Sequence, residues 1–205
     1  RWHQTEWPEL EVFFTSVTDR WAVASIAGPN SRSLLGQLSS DIDLSADAFS
    51  FMSLRTGTVA GLNARVFRIS FSGELAFEIN VSADDGVALW EALLEAGAKF
   101  DITPYGTETM HVLRAEKGYV IVGQDTDGSV TPADLGMDWI VSKTKDFVGK
   151  RSLARSDMLK ENRKQLVGLV TDQPGSVLPE GTQLVNEPST DYPVPMTGHV
   201  TSSYY

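Results

Sequence analysis

Strand-like and helix-like spacings of apolar residues mark out most of the first two-thirds of the chain. Residues 11–18 (EVFFTSVT) and 20–27 (RWAVASIA) are rich in β-branched and aromatic side chains, and Asp19 stands between them. That pattern predicts a hairpin. Gly28-Pro29-Asn30 ends the run, and Asn30 is placed to cap a short helix carrying Leu34, Leu35 and Leu38. Residues 41–55 show no period. Residues 56–60 and 64–70 read as strands about a turn that carries Gly61 and Asn63. Ser72-Gly73 makes the next turn. Phe77, Ile79 and Val81 then alternate with Glu78 and Asn80, the period of a strand with one buried face. Residues 82–85 start a helix in which Val87, Leu89, Trp90, Leu93 and Leu94 recur at helical spacing as far as Gly97.

A second helix is predicted over 106–117, with Gly118 as its C-terminal cap. Residues 119–123 read as a short strand and 146–154 as a short helix. From Lys164 the texture changes. Residues 165–170 (QLVGLV) read as a strand, and Pro174, Gly175, Pro179, Gly181, Pro188, Pro193, Pro195 and Gly198 punctuate the rest. The fold expectation is therefore α+β, with mixed sheets and helices, over residues 1–155. The start of a β-rich domain, an incomplete β-barrel or jelly roll, is expected over 156–205.

Charge narrows the function classes. With 17 Lys+Arg against 27 Asp+Glu the formal net charge is −10, which disfavours a nucleic-acid partner, since binding a phosphate backbone needs clustered cations. The chain has no cysteine, so a disulfide framework, a thiolate metal site and a Cys nucleophile are all excluded. A reducing compartment suits that composition. No apolar run approaches the ~20 residues that a membrane helix needs, so no membrane partner is expected. Arg1-Trp2-His3-Gln4 carries neither an initiator Met nor a signal-peptide pattern, and the other end stops where a strand would begin. A piece of a longer chain is the expectation.

Familiar catalytic signatures are missing. There is no G-x-G-x-x-G, Walker A or G-x-S-x-G motif, and His3, His111 and His199 lack metal-ligand spacing. Asn80-Val81-Ser82 matches a glycosylation sequon but falls in a predicted strand, and is read as chance. Three segments carry more. In FSGELAFEI (71–79), Glu78 points away from Phe77 and Ile79, so it faces water or a ligand. In YGTETMHVLRAEKG (105–118), Arg114 and Glu116 are suited to holding neighbouring elements by charge-assisted hydrogen bonds. YVIVGQDTD (119–127) ends in polar residues of the kind that contact ligands in loops.

These segments occur in this order in one family. FSGELAFEI resembles the Y-T-G-E-x-G-aromatic-E signature of the aminomethyltransferases (glycine-cleavage T-proteins). HVLRAEKGYVIVGQDTD, DFVGKRSL (146–153) and GHVTS (198–202) resemble further segments of that family. In detail, TPYGTETMHVLRAEKG followed by GQDTDGSVTP is similar to the branch formed by the alpha subunits of heterotetrameric sarcosine oxidases.

The resemblance implies an aminomethyltransferase-like folate-binding fold, with tetrahydrofolate as cofactor and Glu78 at the family's folate-binding carboxylate. An ionised carboxylate accepts from both the amino group and the adjacent ring N–H of a pteridine. Phe71, Met110 and Tyr119 are the other expected cofactor contacts. Phe71 keeps the ring of the signature Tyr and loses its hydroxyl. Met110 stands where T-proteins carry an Arg, and is suited to an apolar wall.

No catalytic residue is assigned, because the family's catalytic Asp falls before Arg1, and no metal is expected. The resemblance implies oxidative demethylation of sarcosine to glycine with release of hydrogen peroxide. The one-carbon unit then passes to tetrahydrofolate as 5,10-methylenetetrahydrofolate. It also implies a cytoplasmic enzyme, other sarcosine oxidase subunits as partners, and FAD, FMN and NAD sites outside these residues. Two alternatives stand beside it: a T-protein of glycine cleavage, and a folate-fold module kept for subunit assembly without a working site.

Overall fold

The computed structural model describes residues 5–173, 175–188 and 191–204. Its first sheet is built from four antiparallel strands in the order β1-β4-β3-β2, where β1 is Trp21–Ala27, β2 Leu54–Val59, β3 Leu62–Phe67 and β4 Ala76–Ser82. β2 and β3 form a tight hairpin in which Val59 pairs with Leu62. The two connecting residues, Ala60 (φ 53°) and Gly61 (φ 77°), both have positive φ. That backbone matches the right-handed twist of the strands, and Gly61 adopts it without steric cost. The strands consequently start earlier than the sequence pattern suggested, with the turn at 60–61 rather than over 61–63.

Alternation along β4 sets the core. Phe77, Ile79 and Val81 are fully buried, and they pack with Ile26 of β1 and Val66 of β3. Helix α1 (Ser31–Leu38) adds Leu34 and Leu35, and helix α2 (Gly86–Gly97) adds Leu89 and Leu93. Each such side chain contributes about 1.5–3 kcal/mol by leaving water. Asn30 stands at the N-cap of α1 but makes no side-chain cap bond. Ser31 does the anchoring instead, donating to the carbonyls of Gly28 (2.8 Å) and Leu75 (2.9 Å). α2 runs on into a 3-10 turn at Ala98–Phe100.

The hairpin expected from 11–18 and 20–27 does not form. Residues 11–17 are coil, a 3-10 turn occupies Thr18–Arg20, and β1 pairs with β4 in the register Trp21↔Ser82 to Ala27↔Ala76. Local β propensity in 11–17 has no strand to pair with among the described residues.

The chain divides into two compact units, Arg1–Pro104 and Tyr105–Tyr205. The second unit spans both sides of 155/156, and side chains tie the two stretches: Arg114 to Ser202, and Asp134 to Arg163. In this unit helix α3 (Thr107–Glu116) ends in a tight Gly-based stop. Gly118 (φ 71°) donates to Ala115 O, and Tyr119 donates to Arg114 O. The strand expected over 119–123 is coil running into a turn at 122–125, and the one over 165–170 is coil. The helix expected over 146–154 shrinks to α4, Lys150–Leu153. Of the barrel or jelly roll, the described residues contain one short antiparallel pair, β5 (Gln183–Leu184) with β6 (Gly198–His199). Loop and side-chain bonds, rather than ladders, hold this part together. Pro174, part of the turn-rich reading, lies outside the described residues.

Candidate functional site

Glu78 sits in the middle of β4 on the face opposite the core. Its cross-strand partners are Ser25 of β1 and Phe67 of β3. Glu78 and Phe67 are half-buried, while Ser25 is exposed. The same face carries Asn80 between Val23 and Arg65, and Leu54 opposite Phe67. Arg65 stacks its guanidinium on the Trp21 ring at 4.2 Å. Both α1 and α2 pack on the other side. The result is an open sheet face on which a half-buried carboxylate stands between Ser25 and Phe67, with Asn80 and Arg65 farther along.

The loop from β3 to β4 holds the signature residues. Its ends are tied down by backbone and side-chain bonds. Arg68 Nη1 donates to Ala76 O (3.2 Å), and its guanidinium lies between the rings of Phe51 (5.5 Å) and Phe77 (5.4 Å). Gly28 N donates to Leu75 O at 2.8 Å, beside the Ser31 bond. Gly73 turns the chain with φ 81°. Phe71 is 39 % exposed, and Glu74 is half-buried. On either side of Phe71, the hydroxyls of Ser70 and Ser72 are buried with no hydrogen-bond partner among the described residues. Sequence reading passed over both serines; a serine on each side of an exposed aromatic was the only trace they left.

The other two candidates lie in the second unit. Met110 is half-buried on α3, and Tyr119 follows its C-cap with 42 % exposure. The four candidates thus divide between the units, Phe71 and Glu78 in one, Met110 and Tyr119 in the other.

The strongest polar arrangement of the second unit is a buried ion pair. Arg114 Nη1 meets Asp125 Oδ2 at 2.5 Å, each side chain 3 % exposed. Arg114 also donates to Tyr119 O (3.1 Å) and Ser202 Oγ (2.5 Å). Asp125 accepts from Ile121 N (2.8 Å) and from the hydroxyls of Thr201 and Ser202 (2.7 Å each). Burial pushes the Asp125 carboxyl up, but those hydrogen bonds and the Arg114 charge more than offset it and hold the group below the usual carboxylate range. Arg114 was expected to organise neighbouring elements, and it does. Asp125, expected at a ligand-contact loop, is instead consumed by structural bonds.

A second tie joins Asp134 to Arg163 in a two-pronged fork, Nε to Oδ1 at 2.8 Å and Nη2 to Oδ2 at 2.5 Å. Among the described residues no cluster of His, Cys, Asp or Glu could hold a metal ion, and His3 lies outside them. No helix among them is long and apolar enough to cross a membrane.

Residues 1–145 match the family model described as the GCVT N-terminal domain. The sarcosine oxidase subunit alpha of Corynebacterium sp. (strain P-1) is 55% identical over 206 residues, covering 99% of this chain and 21% of that protein. The aminomethyltransferase of Halothermothrix orenii is 36% identical over 139 residues, 67% of this chain and 38% of its own length. The mitochondrial dimethylglycine dehydrogenase of Homo sapiens is 33% identical over 214 residues, 99% of this chain and 24% of its own. The chain therefore spans about a fifth of the length of the sarcosine oxidase subunit it matches. That relative and the dehydrogenase are oxidoreductases by name. A match over well more than half its residues makes this chain a member of the GCVT N-terminal domain family.

Proposed function

We propose that this chain is the folate-binding segment of a sarcosine oxidase alpha subunit, with Glu78 as the carboxylate that receives the pteridine. One observation carries the reading: the strand alternation of β4 leaves Glu78 half-buried on an open sheet face beside Phe67, while its neighbours in sequence fill the core. The likeness to sarcosine oxidase subunit alpha along nearly the whole chain supports it.

The residues fit the ligand's chemistry. A carboxylate accepts the paired N–H donors of a pteridine, and that donor pair offsets the cost of keeping the charge out of water. Phe71 offers aromatic surface for the ring within the first unit; Met110 and Tyr119 are the cofactor contacts we propose within the second. Tetrahydrofolate, when bound, supplies the nitrogens that take up a one-carbon unit. The parent reaction is the conversion of sarcosine and oxygen to glycine and hydrogen peroxide, with the methyl carbon leaving as a methylene on tetrahydrofolate. Its oxidative half belongs to parts of the parent outside this chain, as do its flavin and NAD sites. This chain's contribution is to hold the acceptor near the released carbon, which raises its effective concentration. The other oxidase subunits are the proposed partners. The family match over 1–145 supports a module that ends ahead of a second domain, which we place from 156.

The test is a calorimetric titration of the full-length parent with 5-formyltetrahydrofolate, beside Glu78→Gln. A hydrogen bond to a charged group contributes about 1.5–3 kcal/mol, so Kd should weaken by roughly 10- to 150-fold. Unchanged affinity in Glu78→Gln would overturn the assignment of Glu78. No binding by either protein would leave the assembly module as the better account.

A further inference from the structure

We infer that Asn80 is the second polar contact of the Glu78 site, its amide donating to the ring carbonyl that stands beside the N–H pair held by Glu78. The inference rests on the folate reading above and deepens it, to a residue that selects which ring the face accepts.

Asn80 lies two residues beyond Glu78 on β4. The alternation that buries Phe77, Ile79 and Val81 turns both polar side chains to the open face. At ~3.3 Å per residue they stand about 6.6 Å apart along the strand. Both are half-buried, so each keeps surface that a ligand can reach. Among the described residues neither side chain has a hydrogen-bond or ion-pair partner.

The residues across from Asn80 show why its amide is unengaged. On β1 it faces Val23, whose side chain has no polar atom. On β3 it faces Arg65, whose guanidinium is drawn over the Trp21 ring at 4.2 Å. Asn is also a residue that strands disfavour. A half-buried amide in mid-strand, outside the core cluster and without a partner, has no task in the fold that would account for it.

The ligand supplies one. Glu78, as a carboxylate, offers only acceptors, and these meet the amino group and the ring N–H. The next group along that edge of a pteridine is a ring carbonyl, which a carboxylate repels and a donor must meet. The Asn80 amide carries two N–H donors on the same face, one alternation farther along the strand. Carboxylate and amide together match the donor, donor, acceptor order of the ring edge.

The order can be tested by reversing one of its members. Tetrahydroaminopterin carries an amino group in place of that ring oxygen of tetrahydrofolate. The wild-type amide can turn either its N–H2 or its oxygen to the ring, whereas Asn80→Asp presents oxygen alone. In the full-length parent, titrated without air, Asn80→Asp should shift the ratio of the two Kd values by about 3- to 10-fold toward tetrahydroaminopterin, the worth of one neutral hydrogen bond. Asn80→Ala should weaken tetrahydrofolate binding by a similar factor and leave the unliganded melting temperature unchanged.

A ratio that Asn80→Asp does not move overturns the inference, as does wild-type affinity for tetrahydrofolate in Asn80→Ala. A lower melting temperature in Asn80→Ala with no loss of affinity marks a packing role and overturns it too. Should Asn80→Asp fail to fold, Asn80→Ala decides alone. These outcomes separate from the fate of the folate reading. If the parent binds tetrahydrofolate and Glu78→Gln weakens it while the Asn80 variants do not, only the Asn80 assignment falls. If the parent does not bind it, both fall.

Discussion

Arg114 and Asp125 form the most deeply buried ion pair among the described residues. Both side chains are nearly inaccessible, and their partners come from α3, from the turn after it and from residues 201–202. Removing one member leaves a buried charge with no counter-ion. Asp125→Ala should therefore destabilise the protein by about 3–5 kcal/mol, read as a shift in the urea midpoint. Replacing both, as Arg114→Met with Asp125→Leu, should cost much less than the single change, because no charge is then stranded. The sequence showed these residues as charges after a helix and in a polar loop. It could not show that they meet, since nothing local encodes a bond to residue 201 or 202. For Glu78 the local code sufficed: strand alternation alone says which way it points, and the structure has it on the side away from the core.

At the scale of elements, the sheet and helices of the first unit were the legible part. β4, α1 and α2 follow from period two and period 3.6, and a buried face enforces each. The hairpin over 11–27 was misread because a strand needs a partner, and propensity does not supply one. The second unit was poorly legible for a different reason. Its segments are set by side-chain ties, of which Asp134 with Arg163 is the clearest after Arg114 with Asp125.

That tie makes a pH prediction. The Arg163 fork, and after it the Thr131 N–H and hydroxyl, outweigh burial and hold the Asp134 carboxyl far below its ordinary value of 3.8. A carboxyl whose folded pKa is depressed stabilises fully above its unfolded pKa and loses that contribution as pH falls through the folded one. The second unit should lose stability as pH drops below about 4, and Asp134→Asn should flatten that part of the profile. Urea midpoints measured from pH 6 to pH 2 on both proteins check it, and parallel curves would refute it.

Across the whole molecule, the apolar surface is uneven. Phe13 is 89 % exposed and Phe14 71 %, in the segment that found no strand partner. The net charge of −10 favours solubility in spite of such residues. Phe13 is not part of the core cluster, so Phe13→Ser should change stability by no more than about 0.5 kcal/mol in a thermal melt. A larger loss would mean that the segment is packed in solution.

The network around Arg114 also has a consequence in time. Arg114 reaches Asp125 across 11 residues and Ser202 across 88. Closing the longer span costs about 1.8 kcal/mol more in chain entropy, three doublings of loop length at ~0.6 each. The short clasp can therefore snap shut early and survive alone, while the long one closes last and opens first. A pulse of exchange or a protease should find the 201–204 end of the network long before it finds α3, and each such opening would hand two of Asp125's hydrogen-bond partners back to water.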